Sequence, residues 1–465
     1  MKMNKKRNFF LIAGLLMSTQ ISHGALVNSP DLAPQHIAVL ESDLNAFLDY
    51  SPGHWANRDF NEAADGYRLA DRISDFKNQL ASHPPQNDSE FFSSFSLFIR
   101  KLHDGHLGLT GIDPRLMIEL VSGLNFAFSK EGVVLTDCNT SNTSCKNIST
   151  PAIVAMIDGI PSMDWINARA ENEIGTMIYG RKTEALKSLT STKFRVRGSY
   201  EQAKNFSIQD ASGHDVVIPI NWSNPFQKST AATVNPDCVS SFTLGDVFVL
   251  RVKTFECTVT FAETTTVMDA RFNQQLTEAL SKAIGFRSVL IDLRDNGGGS
   301  DTETKSLALQ FISASTYWYR ISHLKDDLWT PPYDSALEPQ STTLANNPML
   351  KTAPLWILTN GGCFSACSMF VRELRNSGRA KVIGTPMDGG VGGPRPWKAP
   401  SGLWGIAIPS IKLWDEDGTP MEDSTIIPDV QFLPQFSDFQ KEKDPVLSGS
   451  VKQINALSTL VPADH

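Results

Sequence analysis

The sequence predicts a multidomain α/β protein, on three observations. A Phe-rich N-terminal stretch has helical periodicity; a middle stretch holds short strands between Gly, Asn and Pro turns; and in the C-terminal part buried-looking strands alternate with amphipathic helices. With 465 residues, 41% of them apolar and 20% charged, the chain is globular in composition and long enough to fill more than one core.

Residues 1–24 have the layout of a secretory signal peptide. Lys2, Lys5, Lys6 and Arg7 form a positive start, an apolar run extends from Phe9 to Met17, and small residues Ser22 and Gly24 precede Ala25. That run is too short to span a bilayer, and no other stretch of about 18 apolar residues occurs, so no membrane span is expected. The expected destination is export, periplasmic or secreted. Of the 42 basic residues, four lie in this leader, leaving 38 against 50 acidic ones. Such a balance argues against a nucleic-acid partner.

Residues 25–103 form the expected helical region. Ile37, Leu40, Leu44 and Phe47 recur at helical spacing behind Pro30, a second helix is expected near 67–81, and a third begins at Asp88 or Ser89. Phe91, Phe95, Phe98, Ile99 and Leu102 then share one face, which is a core stripe. Residues 104–235 are expected to be β-rich, with strands near 107–109, 125–128, 133–135, 153–157 and 216–220. Asp158-Gly159 marks a tight bend, and a helix follows near 162–173. In 236–440, strands at 246–252, 288–293, 354–359 and 381–384 alternate with helices near 266–285, 301–313 and 365–377. Residues 325–349, with four prolines, are expected as a long surface loop, and 441–465 as a C-terminal tail.

Six cysteines allow fifteen pairings. Cys138 and Cys145 flank a polar turn, and Cys238 and Cys257 bracket a strand-like segment, so either pair is a candidate bridge. Cys363 and Cys367 are four apart, an awkward geometry for a bridge inside a helix, and stay unassigned.

Three constellations carry chemistry. Asp292-Leu293-Arg294-Asp295-Asn296-Gly297-Gly298-Gly299 follows a strand, and its glycines expose backbone N–H groups for a close approach. A phosphate loop would end in Gly-Lys-Ser/Thr, whereas Ser300 and Asp301 follow here, so an oxyanion or substrate-backbone cradle is the better use. Asn360-Gly361-Gly362-Cys363-Phe364-Ser365-Ala366-Cys367-Ser368 sits between a strand and a helix. There a serine hydroxyl meets helix-N-terminal N–H groups, although an ordinary N-cap serine is the commoner fate. Ser368 competes with Ser365 within the turn. Lys101-Leu102-His103-Asp104-Gly105-His106 ends the Phe-rich helix and offers an accessible histidine as general base. His103 and His106 lack the further ligands of a zinc site, so no metal is expected.

Together these pieces resemble the serine peptidases of the C-terminal-processing-peptidase and tricorn superfamily, whose mark is a D-L-R-x-N-G-G-G turn followed by a small-residue Ser turn and a Gly-Arg-x-x-x-x-Gly run, matched at Gly378, Arg379 and Gly384. The likeness covers about 245–432 and extends to His106. It implies a core of the tricorn/crotonase-like ββα type, a PDZ-like middle region around 153–161, polypeptide substrates and no cofactor. The Ser-Lys branch carries a lysine about 25 residues past the nucleophile; here that position is Gly390. The Ser-His-Glu branch has an Asp-x-His turn, matched by Asp104-Gly105-His106, and a P-x-E-N-x-G-x-x-P-D stretch, matched by residues 420–429 with Asp423 for the Asn and Thr425 for the Gly. Carried over, Ser365 is the nucleophile, His106 the general base and Glu422 the orienting carboxylate. The oxyanion hole is expected at the N–H of Ala366 plus one from Gly297–Gly299, taken as Gly298. Rival readings are a silent peptide- or ligand-binding protein on the same fold and a Ser-Lys peptidase with a displaced lysine.

Overall fold

The computed structural model describes residues 36–138, 148–192, 195–199, 201–209, 215–223, 237–261, 264–267, 269–313, 316–337, 347–422 and 424–458. The expected leader and Cys145 lie outside these residues.

A six-stranded sheet carries the C-terminal part. Its order is Val239–Leu244, Val247–Val252, Ser288–Asp292, Leu355–Thr359, Ala380–Gly384 and Val430–Gln431, with the first pair antiparallel and the rest parallel. The central strands are apolar on both faces because both faces are covered. Val289, Ile291, Leu355 and Ile357 pack with Phe272, Leu307 and Phe370 from the helices on one side, while Leu290, Trp356 and Leu358 pack with Leu447, Val451 and Ile454 on the other. That second cover is the helix Pro445–Ser458, which occupies the expected tail. Its apolar residues recur at helical spacing behind a first-turn proline.

The Asp-Leu-Arg part of the glycine turn is an anchor for this helix. Arg294 binds both oxygens of Asp292 and, through Nη1 and Nη2 at 2.9 and 2.8 Å, both oxygens of Asp444, while Arg251 adds a bond of 2.7 Å to Asp292. Burial alone would raise the Asp292 carboxyl, but hydrogen bonds and charge from Arg294 and Arg251 hold it below the usual carboxylate value.

The helical region holds Ile37–His54, Arg58–Asp65, Leu69–Ser82 and Asp88–Arg100. Arg58–Asp65 spans only eight residues and buries Asn61 in place of an apolar stripe, so only the other three are legible in the sequence. Phe47, Phe76, Phe91, Phe95 and Phe98 form the expected aromatic core. Its last members come from far away: the hairpin Pro394–Lys398 and Gly405–Pro409 inserts Trp404, Ile406 and Ile408. The same hairpin pairs with Gly108–Thr110 just after the histidine turn, Gly108 opposite Ala407 and Thr110 opposite Gly405. Those two pairings carry the His106 turn onto the C-terminal part.

The middle region is an antiparallel sheet of Leu124–Ser129, Gly132–Cys138, Ala152–Ile157, Asn205–Gln209 and Asp215–Pro219, covered by Ser162–Ala170 and Ile178–Lys187. The Asp158-Gly159 bend is present, with φ of 50° and 77°. In contrast, the expected loop at 325–349 is partly strand. Leu328–Trp329 and Tyr333–Ala336 pair with the long strand Tyr317–Lys325, turning at Asp326-Asp327, both left-handed. Two aspartates are a weaker turn signal than Asn-Gly, and four nearby prolines mask the strands around them. Residues 338–346 of that stretch lie outside the described residues. Among the described residues, no helix is long and apolar enough to cross a membrane, and no group of three or more His, Cys, Asp or Glu gathers to hold a metal ion.

Candidate active site

Ser365 is the last of the six residues by which the buried strand Leu355–Thr359 gives way to the helix Ala366–Asn376. Its backbone is left-handed, with φ 58° and ψ −126°, a costly conformation for a residue with a Cβ. Surrounding loops hold it there. Ser365 N–H donates to Gly390 O at 2.8 Å, and Phe364 N–H donates to Asn296 O at 3.1 Å. Asn296 is in turn fixed, donating to Val252 O and accepting from Gly298 N–H, each at 2.9 Å. The serine hydroxyl makes no helix-capping bond, which sets aside the ordinary N-cap role. It lies instead 2.9 Å from Nε2 of His106.

His106 is delivered by a turn clamped from the N-terminal region. Asp104 Oδ1 accepts from His106 N–H at 2.8 Å, while Oδ2 accepts from Trp55 Nε1 at 2.6 Å, Asn61 Nδ2 at 3.3 Å and Asn57 Nδ2 at 3.5 Å. Burial pushes the Asp104 carboxyl up against these four donors. The imidazole itself is buried, and burial pushes its pKa down to about 3. So the ring rests neutral, as a base must. One of its faces stacks on Phe364, with centroids 4.3 Å apart and planes inclined by 29°. Phe364 fits only because its neighbours lack side chains. A Cβ on Gly105 or on Gly390 would each come within 2.4 Å of its ring.

Glu422 is buried behind the glycine loop. Oε2 accepts from Val391 N–H at 2.5 Å and Oε1 from the Thr176 hydroxyl at 2.9 Å. It makes no hydrogen bond to His106, whose Nδ1 is buried without a partner and faces Gly392, the residue after Val391. The structure therefore pairs Ser365 with His106 and sets Glu422 one peptide further back. Nearby, Asp388 accepts from the N–H groups of Thr176 and Met177, and burial pushes it up to about 7.

The glycine turn meets the serine closely, with one correction. A Cβ on Gly298 would lie 2.7 Å from Ser365 Cβ and 2.9 Å from Ala366 N, so glycine is required for the approach. Yet Gly298 N–H is taken by the Asn296 side chain, which removes the expected oxyanion donor. Gly299 instead joins Ser365 and Ala366 in lining a cavity of about 50 Å³, walled by Tyr319, Ile321, Met369, Ile411 and Leu413. A backbone donor spoken for by an asparagine two residues earlier leaves no sign in a Gly triplet.

The competitors are elsewhere. His103 binds Asp65 Oδ2 at 2.7 Å and Glu171 O at 3.2 Å, and Ser368 is fully buried against Cys363 O. Lys381 lies over the Trp356 ring, and Lys398 is exposed. Cys363 and Cys367 are bridged, as are Cys238 and Cys257. The first of these bridges forms because residues 363–365 precede the helix, which removes the intrahelical difficulty. Trp55, Asn57, Asn61, Thr176 and Phe364 were not singled out by the sequence. Only Phe364, an aromatic inside a small-residue turn, carried any local signal.

Residues 246–432 match the model of peptidase family S41. Among solved structures, the chain is similar to mature CPAF complexed with lactacystin, with a TM-score of 0.68 at 16% identity over 92% of this chain and 98% of that one. Mature CPAF gives 0.66 at 16% over 91% and 96%, and a mutant of CPAF 0.67 at 15% over 91% and 96%. At such identities the likeness is one of fold. No curated protein matches the sequence. The S41 match contains the strand, turn and helix that present Ser365, so this part of the chain is similar to the S41 serine-type peptidases.

Proposed function

We propose that this chain is an exported endopeptidase that cleaves polypeptides through an acyl-enzyme on Ser365. The observation that carries the reading is the 2.9 Å contact between Ser365 Oγ and His106 Nε2, made by a serine in a costly backbone conformation. His106 takes the hydroxyl proton as Oγ attacks the scissile carbonyl, then gives it to the leaving amine. Water repeats the sequence and frees the serine. The oxyanion is held by Ala366 N–H at the helix N-terminus, with Gly299 in place of Gly298 on the other side. Glu422 is the third group. It holds Val391 N–H, next to the Gly392 that faces Nδ1 of His106, and so positions the loop against the ring without a direct hydrogen bond.

The N-terminal 24 residues support export, and the two bridges of the described residues suit an oxidising compartment. Fractionation with N-terminal sequencing tests this; a mature protein beginning after Gly24 or Ala25 is expected, and a retained Met1 in the cytoplasm contradicts it.

Hydrolysis of casein or mixed peptides by the mature protein, Ser365→Ala and His106→Ala tests the chemistry. Loss in both variants is expected. Full activity in Ser365→Ala would remove this nucleophile, loss in Ser365→Ala alone would call for another base, and silence in all three would favour the binding-protein reading.

A further inference from the structure

Cys363 and Cys367 lie two residues before and two residues after Ser365, both fully buried, with their Cα atoms 5.4 Å apart across the bridge. The loop that the bridge closes contains only three other residues. They are Phe364, which stacks on His106, Ser365 itself, and Ala366, whose N–H begins the helix. We propose that this bridge is a positioning element for the nucleophile, so that the peptidase works only in the oxidised chain and a dithiol reductant switches it off. The inference rests on the peptidase reading above and adds its regulation.

Ser365 is left-handed, with φ of 58°. A β-carbon-bearing residue there persists only when its surroundings over-determine it. Two of the restraints are single hydrogen bonds to separate loops, Ser365 N–H to Gly390 O and Phe364 N–H to Asn296 O. A third, Cys367 N–H to Phe364 O at 3.1 Å, is internal to the loop. The bridge adds covalent closure between the turn, where Cys363 N–H donates to Asn360 O, and the first turn of the helix. Both sulfurs belong to the packed core beside Phe370 and Val371. Bonded sulfurs stand about 2 Å apart. Two thiols must separate toward the ordinary non-bonded distance of about 3.5–4 Å. Both side chains are fully buried, so separating the sulfurs displaces Cys363 or Cys367, and the serine between them moves with the backbone. A misplacement of about 1 Å at a reacting group is worth on the order of 100-fold in rate.

The redox step balances. One thiolate of the dithiol attacks a sulfur of the bridge and forms a mixed disulfide. The second thiol then displaces it and closes the reductant into its own ring. The Cys363–Cys367 bond breaks, two electrons pass to the protein and two protons end on its thiols. Burial makes the exchange slow, because the attacking sulfur enters only when the turn opens.

The test compares oxidised wild type, wild type after incubation with a dithiol, and Cys363→Ala/Cys367→Ala, which keeps the Cys238–Cys257 bridge. Peptide hydrolysis gives kcat and KM, alkylation with mass analysis counts the thiols, and a thermal scan checks the fold. The expected result is a fall in kcat of about 100-fold in the double variant, with KM within about twofold and a cooperative thermal transition. Reduction should bring wild type to the same level once the peptide holding residues 363 and 367 alkylates, reoxidation should restore it, and the double variant should not respond. Wild-type turnover in the double variant overturns the inference. So does a loss explained by disappearance of the thermal transition, which would make the bridge a support of the fold alone. An oxidised wild type lacking any activity sensitive to a serine reagent overturns the peptidase reading itself, and the inference with it.

Discussion

Nε2 of His106 lies 2.9 Å from Oγ of Ser365, although 259 residues separate them in the chain. Two structural devices bring them together. The hairpin at 394–409 pairs with Gly108–Thr110 and fills the N-terminal aromatic core, and Asp104 ties the histidine turn to Trp55, Asn57 and Asn61. His106 and Ser365 thus belong to different packing units, and their alignment depends on the contact between those units.

Acid should be tolerated unusually well. An ordinary histidine protonates near pH 6.5, whereas burial holds His106 down to about 3. The proposed mechanism needs the neutral ring, and lowering the pH through 6.5 leaves His106 unprotonated in the folded chain. The acid limb of kcat/KM is expected well below 6.5. A limb at 6.5 would mean that the ring is solvated in the working enzyme.

Asp104→Ala removes the acceptor for Trp55 Nε1, Asn61 Nδ2 and His106 N–H together. The expected loss of stability is about 3 kcal/mol by thermal or denaturant unfolding, since buried donors are left without partners. The expected fall in kcat/KM is larger than that of Asn61→Ala, which leaves the bond to His106 in place.

Gly298→Ala places a Cβ 2.7 Å from Ser365 Cβ, on a residue with φ of 98°. Both effects act on the Ser365 turn. Activity is expected to fall by about 100-fold or more, while Gly297→Ala, where a Cβ meets nothing within 4 Å, should stay near wild type. Peptide-hydrolysis rates of the two variants side by side check the contrast.

Much of this arrangement was legible in the sequence. The strand–helix alternation, the Phe stripe and the three motifs lie within short windows, where period and turn chemistry are local. The hairpin that completes the aromatic core was not, because Trp404, Ile406 and Ile408 gain their meaning from residues some 300 positions earlier. The occupied N–H of Gly298 and the seat of Glu422 on Val391 N–H and Thr176 were also hidden, since both depend on which backbone group a side chain reaches. The Asp-Leu-Arg sequence was legible as a motif but not in its part, which is to anchor Asp444 and the last helix.

That anchor should respond to acid. Asp292 and Asp444 both titrate below the usual carboxylate value, held there by Arg294 and Arg251 against burial. Their stabilisation is therefore complete above about pH 4 and is lost as pH falls through the depressed folded values. Asp444→Asn should lower stability by about 1–2 kcal/mol at neutral pH and flatten the acid part of the stability curve. An unchanged curve in urea unfolding would assign the acid sensitivity to other carboxylates.

The central claim is that His106 activates Ser365. The most direct measurement is covalent labelling of the mature protein by a fluorophosphonate, with the modified residue identified by mass spectrometry and the labelling rate compared with that of His106→Ala. A single adduct on Ser365 is expected, with a rate lower by about 100-fold or more in His106→Ala, the range of general-base assistance. An adduct on another residue, or equal rates in the two proteins, would contradict it.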